Sequence, residues 1–291
     1  MTRIVSIDGA LSPPAEARVS VYDRGFLYGD SVFETLRTYG GEPFALAEHM
    51  ARLQRSAESV AIAMPISPAD FAMEIRKAVR AARNPESTVR AMLTRGSGPL
   101  GLDPALAGAP LRVILVEPLT PPPPALYRDG ISVITLRTVR AADAAPGAKV
   151  GNYLASLLAL KQARDVGAHE ALIVDAAGHV LEGTTSNLFL VRGRDLVTPP
   201  EGPGILAGIT RAHVIEVAVE NGHSVRFESL LPADLAAADE IFLTSSIREL
   251  MPVVRVDARI VGDGRPGPIT RALHEMFRTR AGLGAEPMPW E

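Results

Sequence analysis

The chain has 291 residues, 47% of them hydrophobic and 22% charged, with a formal net charge of -3 and six scattered histidines. That is a globular composition with room for one large or two modest domains, and no basic stripe suits nucleic acid. The absence of cysteine excludes disulfides, thiolate zinc sites and cysteine nucleophiles. The N-terminal MTRIVSIDGALSPP lacks the apolar core of a secretion signal, and no run approaches the ~20 apolar residues of a membrane span, so a cytoplasmic protein is expected.

In chain order, RIVSIDG and ARVSVYD alternate as two short strands, with Asp8-Gly9 as turn chemistry between them. SVFETLRTYGGEPF continues the period of two around a Gly40-Gly41 hairpin turn. From Ala47 to Ala61 the spacing becomes helical, with Met50, Leu53, Ala57 and Val60 on one face. A second helix is expected over Pro68 to Arg83, where proline suits the first turn. TVRAMLTR and LRVILVEP read as strands around GSGPLGLDP.

The run LTPPPPALYRDG cannot donate ladder hydrogen bonds and favours an extended, stiff segment. It places a domain boundary at 119–128, between an N-terminal α+β domain (1–118) and a C-terminal domain (129–291). The second half reads as strand ISVITLR, the loop AAPGA, a helix from Asn152 to Val166, and three short strands in HEALIVDAAGHVLEGTTSNLFLV. A helix in GITRAHVIEVAVENG, strands EIFLTSS and MPVVRVD, and a closing helix from Ile269 to Arg280 follow. Short hairpin-connected strands mixed with helices indicate an α+β fold rather than a doubly wound parallel sheet.

Lys149, in GAKVGNYLAS, sits among small and apolar residues just before a helix. A lysine in apolar surroundings has its ammonium form disfavoured, which makes it a nucleophile toward aldehydes and a Schiff-base former. Taken alone it reads as a surface lysine in a loop, and the nucleophile reading rests on its companions. Glu182 ends a short apolar strand, where a carboxylate needs a cationic partner; a protonated pyridine nitrogen is one such partner, water at a turn is the plainer alternative. Gly208, Ile209 and Thr210 open a helix whose free N–H groups form an anion site, unless Thr210 is an ordinary cap. Ser245 and Ser246, after an apolar strand, form a second hydroxyl-rich loop. Arg52 is a candidate phosphate clamp or a solvated helix arginine. Arg37 and Arg90 lie on strands whose alternation either aims them inward to fork a substrate carboxylate or faces them to solvent.

The segment KVGNYLASLLALKQARDVGAHEALIVDAAGHVLEGTTSNLFLV, followed by GILAGITR, resembles the fold type IV pyridoxal-phosphate enzymes. These are the branched-chain aminotransferases, D-amino acid aminotransferases, R-selective amine transaminases and aminodeoxychorismate lyases. The likeness runs from VYDRGFLYGDSVFETLR to EIFLTSSIRELMPV, most of the chain. It implies pyridoxal 5'-phosphate as cofactor, Lys149 as Schiff-base lysine and proton shuttle, Glu182 as partner of the pyridine nitrogen, and Tyr153 as donor to the phenolic oxygen. It puts Arg52, Gly208, Ile209, Thr210, Ser245 and Ser246 at the phosphate. It further implies a small N-terminal α/β sandwich, a larger C-terminal pseudo-barrel, a cofactor cleft between them, and a homodimer in which Tyr28 marks the region nearest the partner.

Within that family the D-amino acid enzymes hold a substrate carboxylate with Arg and His where this chain has Leu100 and Leu102. Thr35 and Thr88 replace the Gly and Tyr usual in branched-chain enzymes, and Thr35 also resembles the lyases. The expected activity is an aminotransferase moving an amino group between a small amino acid or amine and a 2-keto acid, with Tyr28, Thr35, Arg37 and Arg90 near the substrate. The alternative is a lyase releasing pyruvate and 4-aminobenzoate from aminodeoxychorismate. A non-catalytic binder of the cofactor fits less well, because binding alone has no use for a proton shuttle.

Overall fold

The computed structural model describes residues 2–137, 145, 147–202, 204–284 and 286–291; Ala144 and Pro146 of the AAPGA loop lie outside them. The chain divides into two compact units, Met1–Thr120 with Ala148–Tyr153, and Pro121–Gly147 with Leu154–Glu291. The division at Thr120 falls inside the proline run.

In the first unit, β1 (Ile4–Ile7), β2 (Ala10–Ser12), β3 (Ser31–Tyr39), β4 (Glu42–Pro43), β5 (Ser87–Thr94) and β6 (Leu111–Pro118) form an antiparallel sheet in the order β2-β1-β6-β5-β3-β4. Asp8-Gly9 and Gly40-Gly41 all have positive φ, the geometry of tight hairpins whose twist matches the strands they join. Helices α2 (Leu46–Ser59) and α3 (Pro68–Ala82) cover one face. Ser67 caps α3 through the Asp70 N–H, and Pro68 follows it where no N–H is needed. Val32, Leu36, Val89, Ala91 and Leu93 of the sheet meet Met50, Leu53, Phe71 and Ile75 of the helices in one core. Truncating a fully buried member such as Leu53 to alanine costs about 2–5 kcal/mol.

The strand expected in ARVSVYD does not form. Residues 17–22 run as irregular chain and turns, with Val19, Val21 and Tyr22 exposed. The alternation finds no partner strand there, and only Asp23 makes an isolated bridge, to Ser97. A short helix, α1 (Arg24–Tyr28), follows, capped by the Asp23 side chain and ended by left-handed Gly29.

The second unit opens with α4 (Pro124–Asp129), so part of the expected linker is helical, with Tyr127 buried. Then come β7 (Ile131–Arg137), α5 (Leu154–Asp165), β8 (Glu170–Val174), β9 (Val180–Gly183), β10 (Asn187–Arg192) and β11 (Asp195–Thr198). They are followed by α6 (Ile209–Glu220), β12 (Ser224–Phe227), α7 (Pro232–Ala236), β13 (Glu240–Ser245), β14 (Glu249–Val256), β15 (Arg259–Ile260) and α8 (Pro268–Arg280). The strands make a mixed nine-stranded sheet, β12-β11-β10-β13-β14-β7-β8-β9, with β15 beside β14. Val180 of the terminal strand β9 and Val197 of β11 share one core with Leu188, Leu243 and Met251, so the sheet curls around its own side chains as a half-barrel. Among the described residues no helix is long and apolar enough to cross a membrane.

Candidate active site

Lys149 is held by its backbone against the edge of β3. Its N–H donates to Ser56 Oγ at 3.1 Å, its carbonyl accepts from the Phe33 N–H at 3.0 Å, and Val150 bridges to Val32. Gly151 permits this approach, since a Cβ there would lie 2.0 Å from Ser31 Oγ. Lys149 Nζ is 3.4 Å from the Tyr153 hydroxyl and 4.7 Å from the Phe33 ring centre, and the rings of Phe33 and Tyr153 meet edge to face at 5.2 Å. The Arg90 guanidinium lies 3.9 Å from the Phe33 ring centre and 6.0 Å from that of Tyr153. Strand register sets Thr35 opposite Arg90. Burial lowers the pKa of Arg90, and no carboxylate pairs with it among the described residues. Lys149, Tyr153, Thr35 and Arg90 are thus brought to one place.

Arg52 stands in a charge cluster the sequence reading missed. Its Nε and Nη2 fork Glu34 at 2.7 and 2.6 Å, and His49 Nδ1 lies 2.7 Å from the same carboxylate. Glu34 is fully buried. Burial alone would raise its pKa, but the Arg52 charge and hydrogen bonds, with the bond to His49, hold it at about 2. Burial, joined by Arg52 and Lys149, lowers His49 against the opposing pull of Glu34. The signal was available: Glu34 shares strand parity with the core residues Val32 and Leu36, and an acid on that face requires a cation.

Arg37 is buried, donates to the Thr38 carbonyl and lies 4.2 Å over the Tyr39 ring. Tyr28 closes α1, and its hydroxyl accepts from the Gly101 N–H at 3.2 Å. Leu100 and Leu102 are exposed on the same loop.

In the second unit Glu182 is buried at the end of β9, its Oε2 accepting from Asn187 Nδ2 at 2.8 Å and the Leu206 N–H at 3.0 Å. Asn187 also donates to the Leu206 carbonyl, tying Glu182 to the segment that leads into α6. Gly208 precedes α6 with no side-chain cap, and Thr210 lies inside the first turn, buried, so Thr210 is not the cap. A Cβ at Gly208 would stand 1.8 Å from Asn187 Oδ1, so any larger residue there must push the Asn187 side chain aside. Register sets Thr244 beside Asn187. The buried Thr244 Oγ1 and Ser186 Oγ have no hydrogen-bond partner among the described residues. Ser245 and Ser246 follow, half-buried, at the end of β13.

The sequence model described as Amino-transferase class IV matches residues 31–256. The chain belongs to the class IV aminotransferases. It is 39% identical over 284 residues to a putative branched-chain-amino-acid aminotransferase of Methanocaldococcus jannaschii, covering 96% of this chain and 98% of that one. A solved branched-chain amino acid aminotransferase of T.th., with pyridoxamine 5'-phosphate, superposes with a TM-score of 0.91 at 32% identity, covering 96% and 94% of the two chains. A 4-amino-4-deoxychorismate lyase from Pseudomonas aeruginosa gives 0.81 at 30% identity, covering 94% and 98%. The aminotransferase reading is the better supported of the two.

Class IV aminotransferases use pyridoxal phosphate, and the residues of this aminotransferase fit it. The amine of Lys149 suits the aldehyde, and the buried carboxylate of Glu182 suits a ring N–H. The start of α6, which no side chain caps, and the Thr244 hydroxyl, unpartnered among the described residues, suit an anion.

Proposed function

We propose that this class IV aminotransferase acts on small carboxylate-bearing amino donors with a hydrophobic or broad side-chain pocket, and that Lys149 is its catalytic base and acid. The observation that carries the reading is the grouping of Lys149 Nζ, the Tyr153 hydroxyl and the Arg90 guanidinium around one apolar ring, Phe33. When bound, pyridoxal phosphate supplies an electron sink for the carbon that gives up its proton.

The side chains do the rest. With the cofactor bound, Lys149 would take a proton at Nζ from the substrate carbon and hold it for return, the proton movement that turning an amino acid into a keto acid requires. Tyr153 donates to the phenolic oxygen, and Glu182 accepts from the ring nitrogen. The N–H groups at Ile209 and Thr210, with Gly208 allowing the approach, hold the phosphate together with Arg52, Ser245 and Ser246. Arg90 receives a substrate carboxylate, since a partly buried guanidinium without an acid is completed by one. Thr35 lies beside it, and Arg37 and Tyr28 border the substrate.

The chain works as a homodimer. Phe26, Leu100 and Leu102 are strongly exposed, and Arg24 holds the two segments together through the Gly101 and Leu102 carbonyls, an apolar surface of the kind a second copy covers.

The test is a single-turnover absorbance titration of holoenzyme with L-leucine, D-alanine, L-glutamate and R-1-phenylethylamine, without an acceptor. Conversion by an amino acid donor supports the reading and names the stereochemistry, whereas conversion by R-1-phenylethylamine alone overturns the carboxylate requirement. Persistence of the starting band with all four defeats it, and aminodeoxychorismate then becomes the substrate to try. Lys149→Ala should abolish turnover; steady-state activity in that variant overturns the assignment.

A further inference from the structure

The turn after β13 carries Arg248, outside the proposed contacts to cofactor and substrate. Arg248 Nη1 contacts Glu170, Nη2 donates to Thr185 Oγ1 at 2.9 Å, and Nε donates to Ser245 Oγ at 3.2 Å. Its backbone N–H also reaches Ser245 Oγ, at 3.4 Å, and the Tyr127 hydroxyl fixes its carbonyl at 3.0 Å. Glu170 is 1% exposed and accepts in addition from the Thr184 hydroxyl at 2.5 Å and the Thr185 N–H at 3.1 Å. Burial would raise the Glu170 pKa, but Arg248 and these donors lower it, so the carboxylate is ionised and paired. The 183–186 loop is drawn tightly over it: a Cβ at Gly183 would lie 2.9 Å from Glu170 Oε1 and 2.2 Å from Ser186 Oγ.

The consequence lies in the polarity of Ser245. A hydroxyl has two lone pairs and one proton. Both lone pairs are met by Arg248 N–H groups, and the proton finds no acceptor among the described residues. Its remaining capacity is to donate, and an adjacent guanidinium strengthens it as a donor to an anion.

We infer that Arg248 is a positioning residue: anchored on Glu170, it braces the loop after Glu182 against the Ser245–Ser246 turn and leaves the Ser245 hydroxyl as a fixed donor to the cofactor's phosphate. This rests on the reading that Ser245 contacts that phosphate.

The experiment titrates the full-length apoprotein with pyridoxal 5'-phosphate and, separately, with pyridoxal, which lacks the phosphate, and records thermal melting alongside. Arg248→Lys keeps a charge for Glu170 but loses the planar fork. It should melt like the wild type, bind pyridoxal 5'-phosphate about 10-fold more weakly, and bind pyridoxal as before. Arg248→Met should show the same selective loss of binding but melt lower, because it leaves the buried Glu170 carboxylate without its cation. Equal weakening of both ligands, or of neither, in both variants overturns the positioning role. Ser245→Ala tests the underlying reading on its own. An unchanged ratio of the two affinities in that variant overturns the phosphate contact, whatever Arg248 does. A reduced ratio there with an unchanged ratio in Arg248→Lys overturns the positioning role alone.

Discussion

Replacing Glu34 by glutamine removes the carboxylate shared by Arg52 and His49, both of them nine-tenths buried or more. Breaking a buried ion pair at one partner costs about 3–5 kcal/mol, because the other charge stays behind uncompensated. The pKa gives an independent figure. Glu34 falls from 4.5 to about 2 on folding, which at 1.36 kcal/mol per unit corresponds to about 3 kcal/mol. A depressed carboxylate contributes stability that is full above its unfolded value near 4.5 and is lost as pH falls toward about 2. The depressed His49 acts in the same direction, beginning as pH drops through 6.5, where the unfolded chain takes up a proton that the folded chain resists. Urea unfolding of wild type, Glu34→Gln and Glu34→Gln with Arg52→Met, at pH values from about 7.5 down to about 3.5, reads these contributions. The single variant should lose about 3 kcal/mol at the upper end of that range, its deficit should shrink once the wild-type carboxylate starts to lose its advantage below about pH 4.5, and the double variant should recover part of the loss. A single variant that unfolds at the wild-type urea concentration, or a double variant worse than the single one, would refute the compensation argument.

Arg90→Met should lower kcat/KM for carboxylate-bearing donors by about 10- to 100-fold, the worth of a hydrogen bond to a charged group, and leave a carboxylate-free amine unaffected; parallel kinetics on both kinds of donor decide it. Glu182→Gln should reduce kcat by about 100-fold or more with a smaller change in KM, read from steady-state rates at saturating cofactor. Gly208→Ala should displace Asn187 and with it the Glu182 carboxylate, costing about 1–3 kcal/mol by overpacking; thermal melting of the apoprotein, where no ligand can mask the strain, measures it.

Long periodic segments were legible in the sequence. The faces of α2 and α3 and the alternation of β5 and β6 follow from residue spacing alone, because each buries one contiguous side against one core. Short elements were not. Helix α1 spans five residues and shows itself only by its caps, Asp23 and Gly29. Strands β11 and β12 run four residues each, too few for a period to register. Residues 17–22 read as a strand yet remain irregular, since pairing depends on a neighbour that alternation cannot supply. Among candidate site residues, Lys149 and Glu182 announced themselves by neighbours along the chain, and Tyr153 by the family resemblance. Glu34, His49, Glu170 and Arg248 did not, because a buried acid is defined by a cation elsewhere in the sequence: Arg248 lies far from Glu170 in the chain and touches it only after β8 and β14 join one sheet.

The segment Ala148–Tyr153 belongs with the first unit although the chain on both sides of it belongs with the second. During synthesis, the outer edge of β3 at residues 31–33 therefore stays unpaired after the rest of its sheet has emerged, since β4 covers only Thr38 and Tyr39. An open strand edge invites pairing with another chain. Nascent or truncated forms ending before residue 150 should accordingly be the aggregation-prone ones, and the residues that install the lysine are also those that close the sheet.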